Sequence, residues 1–68
     1  MTAFPSLALS YNSETSETHV RYGTGSIVYI YENLSPFHFR KVCNLAKKGR
    51  RKAARDYLNS FTFRKEIR

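Results

Sequence analysis

Two alternating runs separated by Gly23-Thr24-Gly25 constrain the fold more than any other stretch of the chain. In Thr18-His-Val-Arg-Tyr22, Val20 and Tyr22 fall on one side and His19 and Arg21 on the other. A period of two is the signature of a half-buried strand. Ser26-Ile-Val-Tyr-Ile-Tyr31 follows, rich in the β-branched and aromatic residues that suit a pleated surface. Ile27, Tyr29 and Tyr31 share one face of it, and Val28 and Ile30 share the other. Glycine tolerates the positive φ that tight hairpin turns require. Residues 18–32 therefore predict a β-hairpin. A lone hairpin is marginal in water, so the rest of the chain must cover one of its faces.

The flanking segments supply that cover. Phe4 to Tyr11 predicts a first strand with Leu7, Leu9 and Tyr11 on one side, and Asn12 to Glu17 a polar loop. Ser35-Pro36 reads as a helix start, with Ser capping free amides and Pro at the first helical position. Phe39, Val42, Cys43 and Ala46 then recur at helical spacing beside Leu45, and Gly49 marks a stop. A second helix is expected from about Arg50 to Asn59, with Ala54, Tyr57, Leu58 and Phe61 on its apolar side. Thr62 to Arg68 reads as a basic C-terminal tail. The expected fold is α+β: a short antiparallel sheet of about three strands, then two helices packed on one face, in the order β-β-β-α-α. It forms one domain over residues 1–68, with a core of about 4–61. A domain this small buries roughly 60% of its unfolded surface, which favours a shallow binding face over a deep cleft.

The order of residues also carries a resemblance. Tyr11-Asn12, a polar loop, Val20-Arg-Tyr22, Gly25-x-x-Val28-Tyr29-x-Tyr31, Pro36, an amphipathic helix and Gly49 together resemble the KTSC domain. The likeness runs from about Leu7 to Phe61 and is most specific at the Tyr-x-Tyr hairpin before a Pro-started helix. Two positions depart from that pattern. Ile30 stands between the tyrosines where the family has an acidic or polar residue, and Lys47-Lys48 precede the glycine where it has a small polar pair. The resemblance implies a compact α+β domain without catalytic residues. The family's fusion to some lysyl-tRNA synthetases hints at RNA.

Cys43 is the single cysteine, so no internal disulfide can staple the fold, and a reducing cytoplasm is the expected compartment. No apolar run approaches the roughly 20 residues of a membrane span. Met1 to Ser10 lacks a basic leader and does not read as a signal peptide. The chain starts with Met and reads as a whole small open reading frame.

Charge is distributed unevenly. Residues 1–38 hold Arg21 against Glu14, Glu17 and Glu32, a net of −2. Residues 39–68 hold eleven Lys and Arg against Asp56 and Glu66, a net of +9, which brings the whole chain to +7. Arg40, Asn44, Lys47 and Arg51 would form one stripe if the first helix continued, with Lys41 and Lys48 beside it. Lys47-Lys48-Gly49-Arg50-Arg51-Lys52 sits at the expected corner between helices, with Arg55 one turn on. Such a corner can present many cations to a phosphate backbone, each neutralised phosphate releasing a counterion. A solvated face that maintains solubility is the bland alternative.

Other constellations carry less. Sheet tyrosines can stack on unpaired bases, but Tyr29 and Tyr31 share the face of Ile27 that should pack under the helices, so core packing is the favoured reading. Val28 and Ile30 would be open to water in a one-layer sheet, as a partner face or homodimer face, unless the N-terminal segment covers them. His19, His38 and Cys43 match no zinc spacing, so no metal or other cofactor is expected. His38 and Cys43 lie five residues apart on a helix and point in different directions, which does not suit a nucleophile–base pair. The five acids are scattered, and Asp56 should pair with Lys52 or Arg55. The sequence holds no catalytic constellation.

The expected function is non-catalytic binding of RNA or DNA, without strong sequence specificity. Arg40, Lys41, Lys47, Lys48, Arg50, Arg51, Lys52 and Arg55 would contact phosphates. The alternative is a small phage or mobile-element inhibitor that turns the same basic surface against an acidic patch of a host defence or nucleoprotein complex. Neither reading involves a membrane.

Overall fold

The hairpin lies at the centre of a larger sheet. The computed structural model describes residues 2–4, 7–23 and 25–67. Its elements are β1 (Thr2–Ala3), β2 (Leu7–Asn12), β3 (Glu17–Tyr22), β4 (Ile27–Tyr31), α1 (Pro36–Lys47), α2 (Arg51–Leu58) and β5 (Phe63–Ile67). The strands form one five-stranded sheet in sequence order, antiparallel throughout. The α+β class and the two helices after the hairpin are as expected. The strand number is not: β1 and β5 flank the three expected strands.

The segment taken for a C-terminal tail is therefore largely structural. Phe63–Ile67 pairs along all of β4, from Tyr31 opposite Phe63 to Ile27 opposite Ile67. The backbone groups of β4 would otherwise form an open edge, and this pairing satisfies them. Arg68 lies outside the described residues, as do Pro5 and Ser6 of the expected first strand and Thr24 of the hairpin turn. Gly23 in that turn has φ +70°, a left-handed conformation in which a side chain would be strained.

Register divides the sheet into two faces. One carries Leu7, Leu9 and Tyr11 from β2, Thr18, Val20 and Tyr22 from β3, and Tyr29 and Tyr31 from β4. The core lies here: Leu7, Leu9, Val20 and Tyr31 pack with Leu34, with Val42 and Ala46 of α1, and with Ala54 and Leu58 of α2. Tyr11 stacks on Phe39 of α1, ring centroids 5.1 Å apart, and its hydroxyl donates to the Leu34 carbonyl at 2.8 Å. The Leu34 amide in turn donates to the Ser16 carbonyl at 2.9 Å. These bonds tie the β4–α1 connection to the β2–β3 turn and set where α1 begins.

The opposite face overturns one expectation. Val28 and Ile30 are not open to water; they retain only 4% and 1% of their surface. No helix is needed to bury them. Register places Ile30 between His19 of β3 and Arg64 of β5, and Val28 beside Glu66 of β5. Arg64 spans β4 to hydrogen-bond Glu17 of β3 at 3.0 Å, and its Nε lies 3.6 Å from Glu66. The aliphatic stem of an arginine covers apolar surface while its head remains in water. A polar lattice thus roofs the apolar strand centre, and the exposed partner or dimer face at Val28 and Ile30 is absent.

Candidate nucleic-acid interface

The eight cations of the expected binding surface all belong to the helical layer, and all are exposed. Their placement follows from how α1 ends. Ser35 caps its start, accepting from the His38 amide at 3.3 Å, while His38 Nδ1 accepts from the Ser35 amide at 3.2 Å. This reciprocal arrangement fixes the first turn. It also explains His38, whose ring lies against Phe37, Tyr57 and Phe61 rather than serving Cys43. The Cys43 thiol is half-buried and its pKa is pushed up by burial, which disfavours the thiolate a nucleophile requires. At the far end Lys48 is the C-cap and Gly49 follows with φ +74°. The Arg50 amide donates to the Leu45 carbonyl at 2.9 Å and the Gly49 amide to the Ala46 carbonyl at 3.0 Å. That is a Schellman closure, and it turns the chain sharply.

The turn falls at the expected stop, so Arg40, Asn44, Lys47 and Arg51 do not form the single stripe that a continued helix would give. Arg40, Lys41, Lys47 and Lys48 belong to α1 and its cap, while Arg50, Arg51, Lys52 and Arg55 belong to the start and body of α2. Two shallow, open grooves run along α2. Gly49, Arg50, Arg51, Lys52, Ala53 and Asp56 line one, and Arg51, Lys52, Arg55, Asp56 and Asn59 line the other. A third small groove on α1 is lined by Phe37, Arg40, Lys41 and Asn44.

The start of α2 contradicts ordinary helix design. Its N-cap, Arg50, supplies no side-chain capping hydrogen bond, and no acidic residue occupies its first turn. Arg50, Arg51 and Lys52 instead crowd the end of the helix where the backbone dipole is already positive. Taken alone this is unfavourable. A phosphate in the groove would relieve it, accepting from free amides and pairing with the cations together.

Counter-charges do not quench the surface from within. Among the described residues the ion pairs are Glu17 with Arg64, Glu66 with Arg64, and Glu17 with His19. All three lie on the far face of the sheet. Arg64 holds the Glu17 carboxyl below the usual carboxylate range, chiefly through their hydrogen bond. Asp56 was expected to pair with Lys52 or Arg55, but no ion pair joins it to either, although it lines both α2 grooves. None of the eight cations takes part in an ion pair among the described residues. Two of them lean on rings: Lys41 Nζ lies 5.0 Å from the Tyr57 centroid and the Arg55 guanidinium 5.5 Å from that of Tyr22.

Among the described residues no cluster of His, Cys, Asp and Glu is placed to hold a metal ion, and no helix is long and apolar enough to cross a membrane. The chain matches no protein-family model, no curated protein and no solved structure at a significant level.

Proposed function

We propose that the protein is a non-catalytic nucleic-acid-binding protein that grips phosphates along the α1–α2 corner without reading sequence. The observation that carries this is the set of eight exposed cations left without ion pairs among the described residues, while the far-face Glu17 and Glu66 are held by Arg64. Solubility alone does not call for cations at an uncapped helix start. A phosphate backbone supplies negative charge along a line, and the two α2 grooves offer cations along a line.

The test is a variant with Lys47, Lys48 and Arg51 all changed to Ala, compared with the native chain on one labelled oligonucleotide by fluorescence anisotropy. All three side chains are exposed, so the fold should be preserved. Loss of three phosphate contacts should flatten the plot of log K against log salt by roughly 2 to 3. An unchanged slope would remove the α1–α2 corner from the account. A host protein retained on the chain after nuclease treatment, with no affinity for either RNA or DNA, would favour the inhibitor reading instead.

A further inference from the structure

The helical layer stops short of one end of the sheet. On the core side, β4 and β5 place Ile27 beside Ile67, Tyr29 beside Lys65 and Tyr31 beside Phe63. Tyr31 is buried, but Ile27, Phe63 and Ile67 keep 43%, 41% and 83% of their surface. They are three of the four large exposed hydrophobics among the described residues; the fourth, Phe37, is on α1. Scattered single apolar residues need no explanation, but three on one strip of the sheet edge do, Ile27 directly beside Ile67 and Phe63 one Tyr29–Lys65 pair away. This strip is also aromatic. Tyr29 meets Tyr22 edge-on at 5.2 Å between centroids and Phe63 at 5.9 Å. Cations flank it on two sides, Lys65 Nζ lying 5.4 Å from the Tyr29 centroid and Arg55 over Tyr22. Arg55 also lines a groove with Arg51 and Lys52, so it joins the strip to the basic corner.

We infer that this strip takes the unpaired bases of a single-stranded nucleic acid, with Phe63 as the stacking surface, Tyr29 and Tyr31 backing it from the sheet, and the backbone following Arg55, Arg51 and Lys52. The inference rests on the proposed nucleic-acid function and narrows it to unpaired strands. A duplex hides its base faces and offers only phosphates and groove edges, so the strip would remain unused. A single strand presents base faces and phosphates together, which matches rings bordered by cations. A second copy of the chain fits poorly. A dimer contact through the strip would press together two surfaces that each carry Arg55 and Lys65, on chains that each carry +7.

The experiment uses the full chain with a labelled mixed-sequence single strand of about 15 nucleotides and the matching duplex, at one salt concentration. The single strand should bind at least about tenfold more tightly. Phe63→Leu keeps an apolar side chain at a partly exposed position and removes the ring. It should weaken single-strand binding about tenfold, within the range of one base–aromatic stack, and change duplex binding less than about twofold. The chain has no tryptophan, so quenching of tyrosine emission by the single strand that is lost in Phe63→Leu reports a base seated beside Tyr29 and Tyr31. Lys65→Gln, at an exposed position, should cut single-strand affinity severalfold and serves as a second variant if Phe63→Leu does not fold. Equal affinity for both probes, with neither variant altering it, overturns the inference and leaves phosphate binding standing. No binding to either probe overturns both, and binding to polyglutamate alone would point to an acidic protein surface.

Discussion

Replacing Ile30 with Ala tests whether the far face of the sheet is closed. Ile30 keeps 1% of its surface, although no helix lies over it, and its register neighbours are His19 and Arg64. The change removes three buried carbons, worth about 0.8 kcal/mol each, or about 2.5 kcal/mol for transfer alone. The cavity contribution should be small, because the Arg64 stem is flexible and can settle into the gap, so the total belongs near the low end of the usual 2–5 kcal/mol, roughly. In a domain of this size each kcal/mol lowers Tm by about 4–8 °C, so the predicted drop is about 10–20 °C. Urea and thermal unfolding followed by circular dichroism would measure both quantities. Ile30→Lys should be worse, because it forces an ammonium under the polar roof. A loss below about 0.5 kcal/mol for Ile30→Ala, together with native-like Tm for Ile30→Lys, would show that Ile30 is open to solvent and refute the roof.

Three further outcomes follow from the same physics. Thr18 is fully buried and its hydroxyl has no hydrogen-bond partner among the described residues, so Thr18→Val should stabilise the fold by about 1 kcal/mol in urea unfolding; a loss of that size would mean the hydroxyl is satisfied. Ser35→Ala removes the α1 cap and should cost about 1 kcal/mol, with Ser35→Gly milder; equal, negligible effects would disprove the cap. Glu17 has a lowered carboxyl pKa in the folded state, so its contribution is present above the unfolded value near about pH 4.3 and is lost as pH falls through the lower folded value. The urea midpoint of the native chain should therefore fall more steeply with acid than that of Glu17→Gln, and parallel curves would contradict the Arg64 pairing.

The elements with strong local rules were legible in the sequence. Val20 and Tyr22 alternate, Ser35-Pro36 starts a helix and Gly49 ends it, and each was found where its local chemistry put it. β5 was not legible. Phe63, Lys65 and Ile67 alternate with Arg64 and Glu66, but charges on both faces disguise the period, and the partner strand β4 lies two helices away in sequence. The closure of the far face followed from the same gap. Without β5 there is no Arg64 to reach across to Glu17, and Ile30 looks bare. For the candidate site, the charge distribution puts eight of the cations on the helical half and Gly49 puts a corner among them, but the direction in which that corner turns α2 depends on packing that local rules do not carry. The exposed ring of Phe63 could not be read at all, since its place beside Tyr29 depends on that same unforeseen strand.

The proposed phosphate grip depends on the cations at the α1–α2 corner, none of which is in an ion pair among the described residues. The most direct measurement is the affinity of the native chain for one oligonucleotide across a salt series from about 50 to 200 mM. Eight available cations, if half or more of them reach phosphates, predict a log–log slope of about −3 or steeper and a loss of at least roughly fiftyfold over that range. Affinity that stays level across the series would contradict the account.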